Sequence, residues 1–210
     1  MDVASPRFRG RIHQTAFFVS VPAGIALVVV AQGAAATAVS AIYAASLTAL
    51  FGASAAYHVG RWSPRARRWM KRLDHSMIYV LIAGTYTPVT VLALHGPWEA
   101  VLLSIVWSGA AVGIALKLVR PDGLAVVTAL LYMALGWLAL IALPQFVDAM
   151  WFAGAILMIV GGLLYTAGAI VLARRRPDPR PATFGYHEIW HALQVAAAAC
   201  HYTMVALVVA

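Results

Sequence analysis

The stretch Gly185–Gln194, GYHEIWHALQ, carries two histidines four residues apart with a glutamate between them. On a helix, His187 and His191 point within about 40° of each other, so both imidazoles can reach one metal ion. The letters also spell HExxH, in which two histidines bind zinc and the glutamate acts as the base of a protease. The stretch opens an apolar run that continues to Ala210. Two chemistries are open: a protease's zinc helix inside a membrane, or a metal held for another purpose. The deciding question is which other polar groups the fold brings to that depth.

Apolar residues make up 63% of the 210 residues and charged residues 10%. A soluble domain is usually about half apolar and a quarter charged, so this composition is that of an integral membrane protein. The length accommodates roughly seven spans of about 20 residues and no soluble domain. Seven apolar runs are read at 15–34, 38–59, 74–94, 98–118, 123–143, 149–172 and 187–209. Lipid offers the backbone no partner, so these runs are expected to be helices, giving an all-α bundle over 15–210 behind a basic arm, 1–14. The first run, after RFRGRIH and before AQGAAA, also resembles a signal peptide. It is longer than a usual signal core, and its removal would leave six spans. Cys200 is the single cysteine, so no internal disulfide is expected.

The net charge of +8 does not point to nucleic acid, because the basic residues lie in short segments between apolar runs. Arg7, Arg9 and Arg11 precede the first run. Arg61, Arg65, Arg67, Arg68, Lys71 and Arg72 lie between the second and third. Lys117 and Arg120 flank the link from fourth to fifth, and Arg174, Arg175, Arg176 and Arg180 lie between sixth and seventh. With seven spans, all fifteen fall on one side. The other side holds QGAAATA, HGPWE and PQFVDAM, with no Lys or Arg. The positive-inside rule then predicts a cytoplasmic N-terminus and an external C-terminus. Six spans would break this segregation. Trp62, Trp69, Trp98, Trp151 and Trp190 fall near the predicted interfaces, where an aromatic belt is expected.

This topology selects neighbours. His58 is expected near the cytoplasmic end of span two, Asp74 at the start of span three, and His187 and His191 in the first two turns of span seven. Ser54 lies four residues before His58. Ionisable groups in spans are costly and usually face an interior or cavity. Three neutral imidazoles with an open fourth position suit a catalytic zinc. Asp74 has the chemistry to orient a water there or take its proton, and Ser54 to hydrogen-bond that water or a bound carbonyl. Each residue also has a plainer use. His58 can be an interfacial histidine, Asp74 an N-terminal cap and Ser54 a small packing residue. His75 is expected to support the site or the interface. His201, roughly 21 Å further along span seven, is a helix-contact residue; His13 and His95 read as boundary residues.

Ser54–His58 (SAAYH), Leu73–Pro88 (LDHSMIYVLIAGTYTP) and Tyr186–Tyr202 (YHEIWHALQVAAAACHY) together resemble the hemolysin III family. That family is the bacterial branch of the group containing the progestin and adipoQ (adiponectin) receptors. The resemblance covers nearly the whole chain and implies seven spans with the N-terminus inside. By motif it implies zinc held by His58, His187 and His191, with Asp74 and Ser54 bonding the water at the metal. It further implies kinship with lipid-amide hydrolases such as ceramidases, and a role in membrane homeostasis. The family's name reflects a cell-lysing phenotype, so cytolysis is an implied label, although no alternating barrel pattern of a pore-former is present.

Three functions are therefore weighed. The first is a zinc-dependent membrane hydrolase of lipid amides or esters, or a sensor derived from one, in the bacterial plasma membrane; the oligomeric state stays open. The second is an intramembrane metalloprotease with Glu188 as base. It needs an acidic third ligand on a later helix, whereas the HExxH run is the last apolar run here and Asp122, in PDG, precedes it. The third is a receptor or ion pathway using Asp74 and the histidines, although no second polar cluster completes a path.

Overall fold

The computed structural model describes residues 6–120 and 123–210, without the side chains of residues 150 and 151. Asp122 and the side chain of Trp151 therefore lie outside the described residues. The chain forms α1 (Arg11–Val30), α2 (Gly33–Val59), α3 (Pro64–Ala93), α4 (Pro97–Val119) and α5 (Ala125–Trp137). A 3-10 stretch (Leu138–Ala142), α6 (Leu143–Arg174) and α7 (Tyr186–Val209) complete it. Among the described residues, seven segments are long and apolar enough to cross a membrane; the fifth and sixth are Ala125–Ala149 and Phe152–Arg174. The all-α, seven-span architecture is as expected, but three boundaries move.

α3 begins ten residues before the apolar run that announced it. Ser63 caps it by accepting the Ala66 N–H at 3.3 Å, and Pro64 occupies the first turn, where no N–H is needed. The basic residues 65–72 thus ride on helix rather than on a loop. α1 likewise begins at Arg11, not at residue 15. PQFVDAM, expected as an external loop, is helical through its described residues: Pro144 sits in the first turn of α6, and Phe146 is fully buried.

The interruption between α5 and α6 has a local cause. Tyr86 Oη donates to the Leu135 carbonyl at 2.9 Å and accepts the Ala139 N–H at 2.7 Å. Those two backbone groups would otherwise form an ordinary i, i+4 helical bond. A side chain inserted into the ladder breaks or bends a helix.

Small residues set the helix spacing, because between helices in lipid close contact replaces the hydrophobic drive. A Cβ at Gly84 of α3 would collide with Ser46 of α2, and one at Gly113 of α4 would collide with the buried Tyr79 ring of α3. Gly113→Ala is therefore expected to destabilise the bundle by about 1–3 kcal/mol through overpacking. Gly136→Ala, where a Cβ meets nothing within 4 Å, should be neutral or slightly stabilising. Thermal unfolding of the two variants in the same detergent checks the pair; equal midpoints would contradict the packing argument.

α7 contacts α1, α2, α3 and α6. Its first turns meet the end of α2, through His58 and His187, and the start of α1, through Arg9 and Glu188, and the polar residues gather there.

Candidate metal centre

Gly185 is the N-cap of α7, and the helix entry is tied from two sides. Asp178 Oδ1 accepts the Tyr186 N–H at 3.0 Å, and Glu188 Oε2 accepts the Gly185 N–H at 2.9 Å. Glu188 thus caps its own helix. Its other oxygen, Oε1, pairs with Arg9 Nε at 2.6 Å, and the side chain is almost fully buried. The glutamate of HExxH therefore faces the N-terminal arm.

His187 and His191 turn the other way, toward the last turn of α2. The ligand atoms of His58, His187 and His191 lie within 4.8 Å of one another. His58 Nε2 and His187 Nε2 are 3.4 Å apart. Two nitrogens bound to one tetrahedral zinc at about 2.0–2.1 Å would lie about 3.3–3.4 Å apart. One edge of the donor set thus already has the separation such an ion requires. Trp190 sits edge-on against His187, with ring centroids 5.1 Å apart, so it packs on the cluster rather than standing out in a belt. Trp62, Trp69 and Trp98 are exposed.

Asp74, buried near the start of the apolar part of α3, places Oδ2 3.9 Å from His58 Nε2. Ser54, one turn before His58, is buried and lies close to Asp74. The five residues singled out in the sequence therefore come together from α2, α3 and α7 at one end of the bundle. Three imidazole nitrogens, a carboxylate and a hydroxyl around one point suit a four-coordinate metal with one open position.

Sequence reasoning missed one neighbour of this cluster. His13, read as a boundary residue, is only 2% exposed. Its ring stacks on His191 with centroids 3.8 Å apart and planes 9° apart, and its Nδ1 is 2.7 Å from Ser54 Oγ. The signal lay in the spacing: His13, Ala16, Ser20, Gly24 and Leu27 form one buried helical face of α1. Arg9 was counted only for its charge, yet it pairs with Glu188. Lys117, counted as a flank, is buried, with Nζ 6.0 Å from the centre of the Tyr132 ring. Tyr132 Oη in turn donates to the His75 carbonyl at 2.9 Å. His201 stays apart, with Nε2 3.3 Å from the Met158 carbonyl, and His95 is exposed, both as read.

A sequence profile for haemolysin-III related proteins matches residues 1–202. Hemolysin-3 of Bacillus cereus is 34% identical over 182 residues, covering 85% of this chain and 80% of that protein. The Hemolysin-3 homolog of Bacillus subtilis (strain 168) is 33% identical over 182 residues, covering 85% and 82%. The human monocyte to macrophage differentiation factor is 27% identical over 165 residues, covering 77% and 66%.

Proposed function

The chain belongs to the haemolysin-III related family of multi-pass cell-membrane proteins, and we propose that it is a zinc-dependent hydrolase of lipid amides or esters, acting near the cytoplasmic face. The observation that carries this reading is the three-imidazole cluster, with its 3.4 Å His58–His187 edge, beside a buried carboxylate 3.9 Å from His58 Nε2. A structural metal needs no such carboxylate at its open side; hydrolysis does.

In this reading His58, His187 and His191 hold the metal. When bound, zinc polarises a carbonyl oxygen and makes water a usable nucleophile at neutral pH. Asp74 accepts the proton of the attacking water and returns it to the departing amine or alcohol. Ser54 donates to Asp74 or to the substrate carbonyl and so fixes their mutual orientation. Glu188 is not the base, because one oxygen caps α7 and the other pairs with Arg9. That arrangement disfavours the protease reading.

Depth and surroundings support a membrane lipid as the substrate class. An apolar groove of about 600 Å³ runs between α1, α2 and α7, with Ala16, Phe51, Ala198 and Tyr202 among its walls. Phe51 joins the groove to the site, its ring 5.2 Å from that of His13. A chain lying in the groove would bring a headgroup linkage to the metal's level. Membrane lipids fit this arrangement, and water-soluble substrates have no use for the groove. The name Hemolysin-3 borne by two relatives is compatible with lipid turnover that weakens a membrane, without a pore.

Metal analysis of the purified protein, followed by mass spectrometry of products from a broad lipid panel with and without chelator, tests the proposal. Stoichiometric zinc with chelator-sensitive release of fatty acid supports it. Zinc without any product shifts the assignment to a sensor derived from such an enzyme.

The orientation rests on the segregation of all fifteen Lys and Arg residues. Reporter fusions at residues 1 and 210 should give a cytoplasmic N-terminus and an external C-terminus. Reversed ends would move the site to the outer leaflet; both ends on one side would contradict seven spans.

A further inference from the structure

We propose that His13 is a positioning residue of the metal centre, which makes α1 part of the site rather than only a membrane anchor. This rests on the metal-site reading above. An imidazole within a span is costly unless it is partnered. His13 is buried to 2% exposure and sits between two members of the cluster, with Nδ1 2.7 Å from Ser54 Oγ and its ring 3.8 Å from that of His191. Phe51 closes another side at 5.2 Å.

Each contact removes a specific freedom. Ser54 Oγ has one proton and two lone pairs, and left alone its hydroxyl rotates. With the proton on Nδ1, His13 donates to Ser54 and leaves the Ser54 hydrogen for Asp74. In the other tautomer Ser54 donates to His13 and has no hydrogen left for the Asp74 carboxylate. Either way the hydroxyl has one setting. The nearly parallel ring on His191, 9° between planes, blocks that imidazole from swinging. Its metal-facing nitrogen is then held without any cost at the moment of binding, as outer partners of metal histidines commonly arrange.

Two further ties keep α1 in register. Gly10, in the left-handed region with φ 78°, precedes α1. A Cβ there would lie 2.6 Å from His58 Cβ, so the helix start is pressed onto the end of α2. Arg9 clamps the same start to Glu188 in the first turn of α7. His13 thus sits one turn above a fixed point against both helices that supply the histidines.

The experiment uses the full chain in detergent, with Zn²⁺ affinity measured by competition and Co²⁺ absorption as the spectroscopic readout. His13→Phe keeps an aromatic face on His191 and removes the bond to Ser54. His13→Asn keeps a group at the Nδ1 position and removes the stack. His13→Ala removes both, and its affinity should fall by about 10–100-fold, the usual cost of losing an outer partner. The two partial variants should fall less, and both should shift the Co²⁺ bands. Ser54→Ala combined with His13→Phe should cost no more than the larger single effect, because the two share one bond. If His13→Ala does not fold, the two partial variants carry the test. Unchanged affinity and Co²⁺ bands in folded His13 variants overturn the inference and leave the metal site standing. Lower folded yield with unchanged bands in the folded fraction overturns it equally, since that is the signature of packing alone. A wild type that takes up neither ion removes the metal reading itself and the inference with it.

Discussion

His58→Ala, His187→Ala and His191→Ala are each expected to lose most of the bound zinc, leaving a small fraction of the wild-type stoichiometry. A tetrahedral catalytic site has three protein ligands, and removing one leaves two imidazoles and open water positions. The loss should exceed the 10–100-fold typical of outer partners. Glu188→Gln is the informative control. Its carboxylate faces Arg9 and the Gly185 N–H, not the cluster, so metal content should stay near wild type. Its cost should appear as lower thermal stability, because Arg9 loses its ionic partner and the helix keeps only a weaker cap. Metal analysis on folded, size-selected protein reads both effects. Retention of zinc in His58→Ala, with turnover lost and zinc kept in Glu188→Gln, would reverse the assignment and favour a protease-type site.

The same substitutions mark what the sequence could and could not reveal. His187 and His191 were legible from their four-residue spacing alone. His58 and Asp74 became their neighbours through the distribution of Lys and Arg, since that fixes which helix ends lie together. Neither argument needs side-chain detail. Helix length and backbone satisfaction leave few ways for seven apolar runs to cross a bilayer, so the architecture was also legible.

Part of what stayed hidden shares one physical cause. Hydropathy finds the lipid-facing part of a span and misses helix that is polar at its ends. α1 begins at Arg11 and α3 at Pro64, both outside the apolar runs. His13 falls in that blind margin, so an imidazole stacked on the cluster was read as a boundary residue. The buried face His13–Ala16–Ser20–Gly24–Leu27 mixes small, polar and apolar residues, and appears only when the margin is read as helix. Arg9 and Lys117 were hidden differently. A charge counted for topology is treated as solvated, yet Arg9 reaches a buried carboxylate and Lys117 is buried against an aromatic ring. The 3-10 break after Trp137 depends on one hydroxyl from α3, a long-range contact with no local trace.

Asp74→Asn separates turnover from mere metal retention, and it should have the largest effect on rate of any change outside the ligands. The substitution keeps size and an oxygen acceptor but removes the charge and the basic lone pair. Asp74 Oδ2 lies 3.9 Å from His58 Nε2, beside the donor set and not within it, so zinc content should fall little. The fold should persist, because an amide at this buried position can still bond Ser54 and carries no unpaired charge. Lipid hydrolysis, by contrast, should drop by about 10²–10⁴-fold, the contribution of a positioned general base. Measuring zinc, folded yield and product on one preparation keeps these quantities apart. Normal zinc and yield with a collapsed rate assign the proton transfer to Asp74. A rate that falls only in proportion to folded protein would make Asp74 a structural partner of α2 and Ser54. An unchanged rate would take it out of the mechanism and leave the water to be activated by the metal alone.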